Sequence, residues 1–454
     1  MLQFIDQTPG GIRSSDRRTI RSHVMRGKNA GKKRPAIRQK LEDVRMKQKA
    51  NHSTKPPYSI PRQVLWSDLS LTRLPEQLDS KSTGLLHRWF FDISDALFPP
   101  QFCNKFDIIK SIWVNCILVD EAYFHSTLAI SASYVNFVRR KPYISTNTLH
   151  HISQAYALVN NKLSGPNSVS DSAIAAVVSL VIYQQIHHQV ATGLVHLGGL
   201  YKMIQLRGGI GKLMQENRAL ALKPLRLDIE LAMRSGTPPV LLDETLPVRS
   251  ILCDFDTDDL PHLELPLMPP MMLDIFKFSV LLNQAHSNTI PKLNPLDFTE
   301  TIVALLYRLI GGVFAMPVMS DKKSNFHDLL HPTMIAFMST LLPEYTLDKS
   351  GRCTLSSRLE DRLQETYFGS ILISDLEASI LVWILFISAI SVLDAKNNEW
   401  LLPLLAGTID RLQLTSWSQA EQQLKMFPWI DCIHGPPARD LWDHLRGLEL
   451  IFVL

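Results

Sequence analysis

Cysteine is scarce and scattered. The 454-residue chain holds only Cys103, Cys116, Cys253, Cys353 and Cys432, an odd set at wide spacing that implies no disulfide framework and suits reduced thiols in a cytosolic or nuclear protein. Long apolar runs are also missing. Ala378–Leu393 is sixteen residues with three serines, short of the ~20 a membrane helix requires, so it reads as a fully buried core helix. The start, MLQFIDQTPGG, has no apolar h-region, which argues against secretion. No sustained polar–apolar alternation and no fixed-period repeat occur, which disfavours strands and strict solenoids. Acidic residues are nearly absent from one end: residues 1–62 hold sixteen Lys and Arg against four Asp and Glu, or +12. With +4 overall, residues 63–454 carry −8. A basic arm is attached to a mildly acidic body.

What is present is ordinary globular composition, 46% hydrophobic and 20% charged, with a length prior of roughly three domains as an upper estimate. Residues 14–50 place basic side chains in nearly every turn. Ser15 could cap a short helix carrying Ile20 and Val24, ended by Gly27, and Ile37, Leu41 and Val44 support a second after Pro35. Neither stripe is wide enough to fold alone, so the arm is expected to be disordered or partly helical. Lys32, Lys33 and Arg34 resemble a nuclear import signal. Together with Arg17, Arg18, Arg21, Arg26 and Lys28 they could neutralise phosphates of a nucleic acid. The proline-containing stretch after Asn51 makes a tether, giving an arm and linker over 1–62 and a body over 63–454.

The body is expected to be all-α, with many helices. Leu85, Leu86, Trp89, Phe90 and Ile93 share a face before Pro99 and Pro100, and Ser111–Arg140 holds two successive buried helices. Thr148–Leu163 presents His151, Ala155, Leu158 and Val159, and Asp171 is the expected N-cap of SAIAAVVSLVIYQQI. The stretch HLGGLYKMIQLRGGI (His196–Ile210) then sets Leu197, Leu200, Tyr201 and Ile204 on one face, with Gly208 and Gly209 supplying a left-handed end. A mid-helix glycine costs about 1 kcal/mol relative to Ala, so Gly199 is expected to allow close packing of a neighbouring helix. Seven prolines between 235 and 270 and the acidic DFDTDD (Asp254–Asp259) mark an irregular segment inside the body, after which helical periodicity returns.

Familiar catalytic constellations fail one by one. RGGIGKL is not a phosphate loop, because Leu206 and Leu213 stand where Gly and Ser or Thr are needed. Asp254, Asp256 and Asp258 begin like a calcium loop, but Asp259 and Leu265 occupy the glycine and glutamate positions. His187, His188 and His196 lack HExxH spacing and a matching carboxylate or thiolate cluster. Asp431 and His434 sit one turn apart as an acid and base might, yet no nucleophile motif accompanies them, and Gly435–Pro436 reads as a helix end that His434 would cap.

Three stretches resemble one family in order. Asp16–Pro35, the block His196–Ile210, and FPWIDCIHGPPARDLW (Phe427–Trp442) are similar to the beginning, middle and end of filamentous-fungal proteins carrying the fungal-specific transcription factor domain. The family's middle block resembles HLxGLxxMVxLRGG, fitted by Leu197, Gly199, Leu200, Met203, Leu206, Arg207, Gly208 and Gly209, with Ile204 replacing Val; Trp429, Asp431, His434 and Trp442 mark the last block. The resemblance implies a nuclear, non-enzymatic transcription regulator without cofactor or membrane association. Its all-helical regulatory body would control activity, dimerise with itself or a relative, meet other transcription regulators or receive effectors, and DNA would be met through the arm. Many such regulators begin with a binuclear zinc cluster of closely spaced cysteines. No cysteine precedes Cys103, so zinc-dependent major-groove reading is not expected from these residues. Two alternatives stay open: a helical small-ligand binder or metal-dependent enzyme built around His196, Tyr201 and the acidic segment, and a scaffold that reaches chromatin through a zinc-cluster partner.

Overall fold

Helical periodicity carries through into the architecture. The computed structural model describes residues 80–89, 97–105, 112–138, 145–241, 252, 270–315, 325–342, 353–368, 375–393 and 400–452, all within one unit, Thr72–Leu454. The basic arm, Phe90, Ile93 and the DFDTDD segment lie outside the described residues.

Among the described residues the fold is all-α, with sixteen helices and no strand. The first group comprises α1 (Ser80–Arg88), α2 (Ile112–Val119), α3 (Glu121–Val138), α4 (Thr146–Leu163), α5 (Asp171–Ile186), α6 (Val190–Arg207), α7 (Ile210–Glu216) and α8 (Arg218–Ser235). The second comprises α9 (Pro270–Ser287), α10 (Pro295–Ala315), α11 (Asn325–Ser339), α12 (Cys353–Phe368), α13 (Asp375–Ser391), α14 (Leu401–Arg411), α15 (Trp417–Leu424) and α16 (Asp431–Phe452).

Helix α5 sits at the centre of the first group, against α3, α4 and α6. Its Ala173, Ile174, Ala175, Ala176, Val177 and Val178 are buried on every side, and small side chains let neighbouring axes approach. Ser170, rather than Asp171, caps this helix: its hydroxyl accepts the Ala173 amide at 3.3 Å. Asp171 is the first helical residue, where a carboxylate still favours the positive end of the helix dipole. Helix α8 packs on α5, α6, α7, α10 and α12 and so joins the two groups. A short parallel bridge adds a second tie, with the Asn104 amide donating to Leu293 O at 2.8 Å and the Leu293 amide to Phe102 O at 2.9 Å.

In the second group α13 is the core helix expected from its apolar run, with Ile380–Ala389 buried throughout. Trp383 is fully buried between Phe337 and Phe427, and its indole N–H donates to Pro428 O at 2.9 Å. Each fully buried large apolar side chain of this kind contributes roughly 1.5–3 kcal/mol.

Candidate functional site

The middle block closes α6 in the expected way. Gly208 (φ 108) and Gly209 (φ 89) both lie at positive φ, and their amides donate to Gln205 O and Ile204 O, each at 2.9 Å. That pair of bonds is the Schellman arrangement, which satisfies the last helical carbonyls. Leu197, Leu200 and Ile204 are buried, whereas Tyr201 is half-buried.

The expected close packing at Gly199 is not found. A Cβ at Gly198 or Gly199 would meet nothing within 4 Å, while one at Gly193 would stand 3.3 Å from Leu231 Cδ2. The close approach to α8 therefore lies one and a half turns earlier, on the buried face. Gly199 points outward, on the same side as Val195 and Leu206, which are 73% and 77% exposed.

Arg207 holds the corner. Its Nη2 donates to Glu216 Oε2 on α7 at 2.8 Å, its Nη1 to Val169 O at 3.2 Å, and it also ion-pairs with Asp171 on α5. Burial lowers its pKa, but the hydrogen bonds to Glu216 and Asp171 more than reverse this, so the guanidinium stays charged. Asn217 continues the network, capping α8 through Leu220 N–H and donating to Asp171 Oδ2 at 3.1 Å.

The last block is a second, separate cluster, and its hydrogen bonds share no residue with the first. His434 is fully buried and lies at the start of α16, not at a helix end as its Gly–Pro sequel suggests. Its Nδ1 accepts the Ile430 amide at 3.0 Å, and its Nε2 sits 3.0 Å from Thr340 Oγ1, whose hydroxyl donates to Phe337 O at 2.7 Å. A neutral imidazole protonated on Nε2 satisfies every one of these partners. Burial pushes its pKa down to about 3. Asn283 of α9 steadies the same turn, donating to Trp429 O at 2.8 Å and accepting from Asp431 N–H at 2.9 Å. With its first turn fixed at both ends, the helix continues through Pro436 and Pro437 although neither can donate an amide to the turn before it.

Asp431 and His434 do not form an acid–base pair. Asp431 is exposed and ion-paired to Lys425 at 3.0 Å, while both His434 nitrogens are engaged inside the core. Trp429 is buried 5.3 Å from the His434 ring, and Trp442 stacks edge-on to Trp417 at 6.2 Å beneath the Arg446 guanidinium. Of the earlier histidines, His187 is half-buried 2.9 Å from Ser133 Oγ, His188 is exposed, and His196 stacks on Tyr156 at 5.8 Å. Among the described residues no group of three or more His, Cys, Asp or Glu could hold a metal ion, and no helix is long and apolar enough to cross a membrane.

Two clusters escaped sequence reasoning. His125 and His151 are buried with Nδ1 atoms 2.9 Å apart, which requires that one ring donate and the other accept. Helix α8 was not singled out within the helical body, because apolar residues occur on all its sides and Pro224 interrupts the pattern. Two of its charged residues find partners far along the chain, and two pair with each other within the helix. Asp228 accepts from Val240 and Leu241 amides at 2.7 and 2.8 Å and from Tyr307 Oη at 2.8 Å; burial raises its pKa against the pull of those three donors. Arg226 Nε donates to Glu230 Oε1 at 2.8 Å, and Arg218 binds Asp297 and Glu300 of α10. The only signals were Asn217 and Gly236, cap residues that bracket the helix.

The fold and these clusters define an all-α protein in which polar networks fasten one helix to the next. Residues 92–226 match the model of the fungal specific transcription factor domain. The matched stretch runs over α2 to α7 and the first half of α8, includes the middle block and stops short of the last one. No curated protein and no solved structure matches the chain.

Proposed function

We propose that the protein is a non-enzymatic, nuclear transcription regulator, acting through its helical body and entering the nucleus by its basic arm. The domain match over 92–226 carries this reading. The +12 of residues 1–62 supports it, because such a segment binds polyphosphate surfaces and import receptors alike. A tagged full chain should be nuclear, and one lacking residues 1–50 should not; an unchanged distribution would remove the import role. If the arm touches DNA, the binding constant should fall steeply with salt, with a log–log slope of about −0.9 per phosphate neutralised. Binding that ignores salt would exclude this mode of contact.

A second reading is a scaffold that reaches chromatin through a zinc-cluster partner. It is favoured by the position of the domain match, which lies in the helical body and outside the basic arm. Chromatin association that vanishes with the partner and persists without the arm would select it. The enzymatic alternative has less support, since Asp431 and His434 face different surroundings and His196 is packed against Tyr156.

A further inference from the structure

A cleft opens where α8 meets α2, α10 and the segment around Phe98. Phe98, Trp113, Leu222 and Leu296 wall it, and Lys223 and Arg226 of α8 supply its charge. It is an open cleft, about 330 Å3 with the solvent at its mouth included, and the space it closes off is about that of one water. The Lys223 ammonium lies 5.9 Å from the centre of the Trp113 ring. Among the described residues it has no carboxylate at ion-pair distance. Arg226 is committed to Glu230 through Nε only, and its buried Nη2 has no hydrogen-bond partner in the described structure. The other acids nearby, Asp297 and Glu300 on α10, are taken by Arg218. Two cations one turn apart thus stand beside apolar walls with one paired carboxylate between them, Glu230 on Arg226.

We propose that this cleft binds a small carboxylate with an apolar body, the carboxylate entering against Lys223 with the Arg226 charge behind it and the apolar part resting on Trp113 toward the mouth. An anion there supplies the partner Lys223 lacks. It also offsets the repulsion between Lys223 and Arg226, and aromatic and aliphatic walls reward an apolar body over a hydrated one. Burial first, and Arg226 second, push the Lys223 pKa down to about 7, with Glu230 opposing. Burial thus works against the charged lysine, and an anion binds the protonated form. That the ligand acts as an effector of transcription rests on the function proposed above; the binding itself does not.

The test uses the purified full chain and acetate, propanoate and benzoate, each against its neutral amide. At a concentration tenfold above Kd, a fitting carboxylate should raise the thermal midpoint by about 1–3 °C, and the amide should not. Affinity should weaken about tenfold between pH 6 and pH 8 as Lys223 loses its proton, a readout that needs no variant. Lys223→Met should weaken binding about tenfold or more, and Lys223→Arg should retain most of it. No midpoint shift with any of the three carboxylates, an equal shift with the amides, or an undiminished response in Lys223→Met would overturn the proposal. If the carboxylate binds as described but leaves a reporter driven by the full chain unchanged, the effector role fails and the site stands.

Discussion

Helix α8 and the α13–α16 group bury polar chemistry in opposite ways. Around α8, Arg226, Asp228 and Glu230 are buried with dedicated hydrogen-bond partners from α8 itself, α10 and the chain at 240–241. Around α13, a ring cluster led by Trp383, Phe337 and Phe427 extends to a single buried imidazole, His434, flanked by Phe337 and Trp429 and held neutral. Buried charge is costly unless every group is paired, whereas a packed apolar group tolerates one satisfied neutral polar residue at little cost. A region with paired and one unpaired charge can respond to an added anion. A region of rings around a neutral histidine can only hold or fail.

The largest effect should come from the ring cluster. Trp383→Ala removes a side chain in contact with Phe337 and Phe427 and should cost about 3–5 kcal/mol in denaturant unfolding. A loss below about 1 kcal/mol would mean that this group is loosely packed. Next, Glu230→Ala leaves Arg226 buried without its carboxylate and should cost about 3 kcal/mol. Arg226→Met with Glu230→Leu should recover most of that loss. Equal losses in the single and double variants would show that packing, not charge, governs α8.

The two regions respond to pH in the same direction but in different windows. His434 has a folded pKa near 3 against 6.5 for the free side chain. Below pH 6.5 the unfolded chain takes up a proton that the native one refuses, so stability falls by about 1.4 kcal/mol per pH unit from this residue until about pH 3. Lys223 acts on the alkaline side. Its folded pKa is also depressed, so its contribution rises with pH from about 7 to its unfolded value. Unfolding midpoints of His434→Gln and Lys223→Met across pH 4–10 should each flatten one arm of the profile and leave the other.

The smallest effect is a gain. Gly199→Ala fills open space on the outer face of α6 and should stabilise the chain by up to about 1 kcal/mol. A loss on this substitution would mean that something covers this face in solution.

Local signals made much of the fold legible in the sequence. The apolar run of α13, the paired helices α2 and α3, and the Gly208–Gly209 end of α6 each depend on residues within a turn or two. Three features were not legible, each for a definite reason. Gly435–Pro436–Pro437 reads as a terminator unless one knows that Asn283, 148 residues earlier, fixes the first turn of α16. Gly199 looks like a packing glycine, although Gly193 is the one that meets Leu231. Asp228 on α8 reads as a solvated charge because its partner Tyr307 lies 79 residues away.

Genome-wide chromatin occupancy of the tagged full chain, alongside a chain with Arg17, Arg18, Arg21, Arg26, Lys28, Lys32, Lys33 and Arg34 all changed to Gln, tests the central claim most directly. A transcription regulator with a working arm predicts discrete promoter peaks that weaken across the genome in the Gln variant; the absence of peaks above an untagged control for the unaltered chain would contradict it.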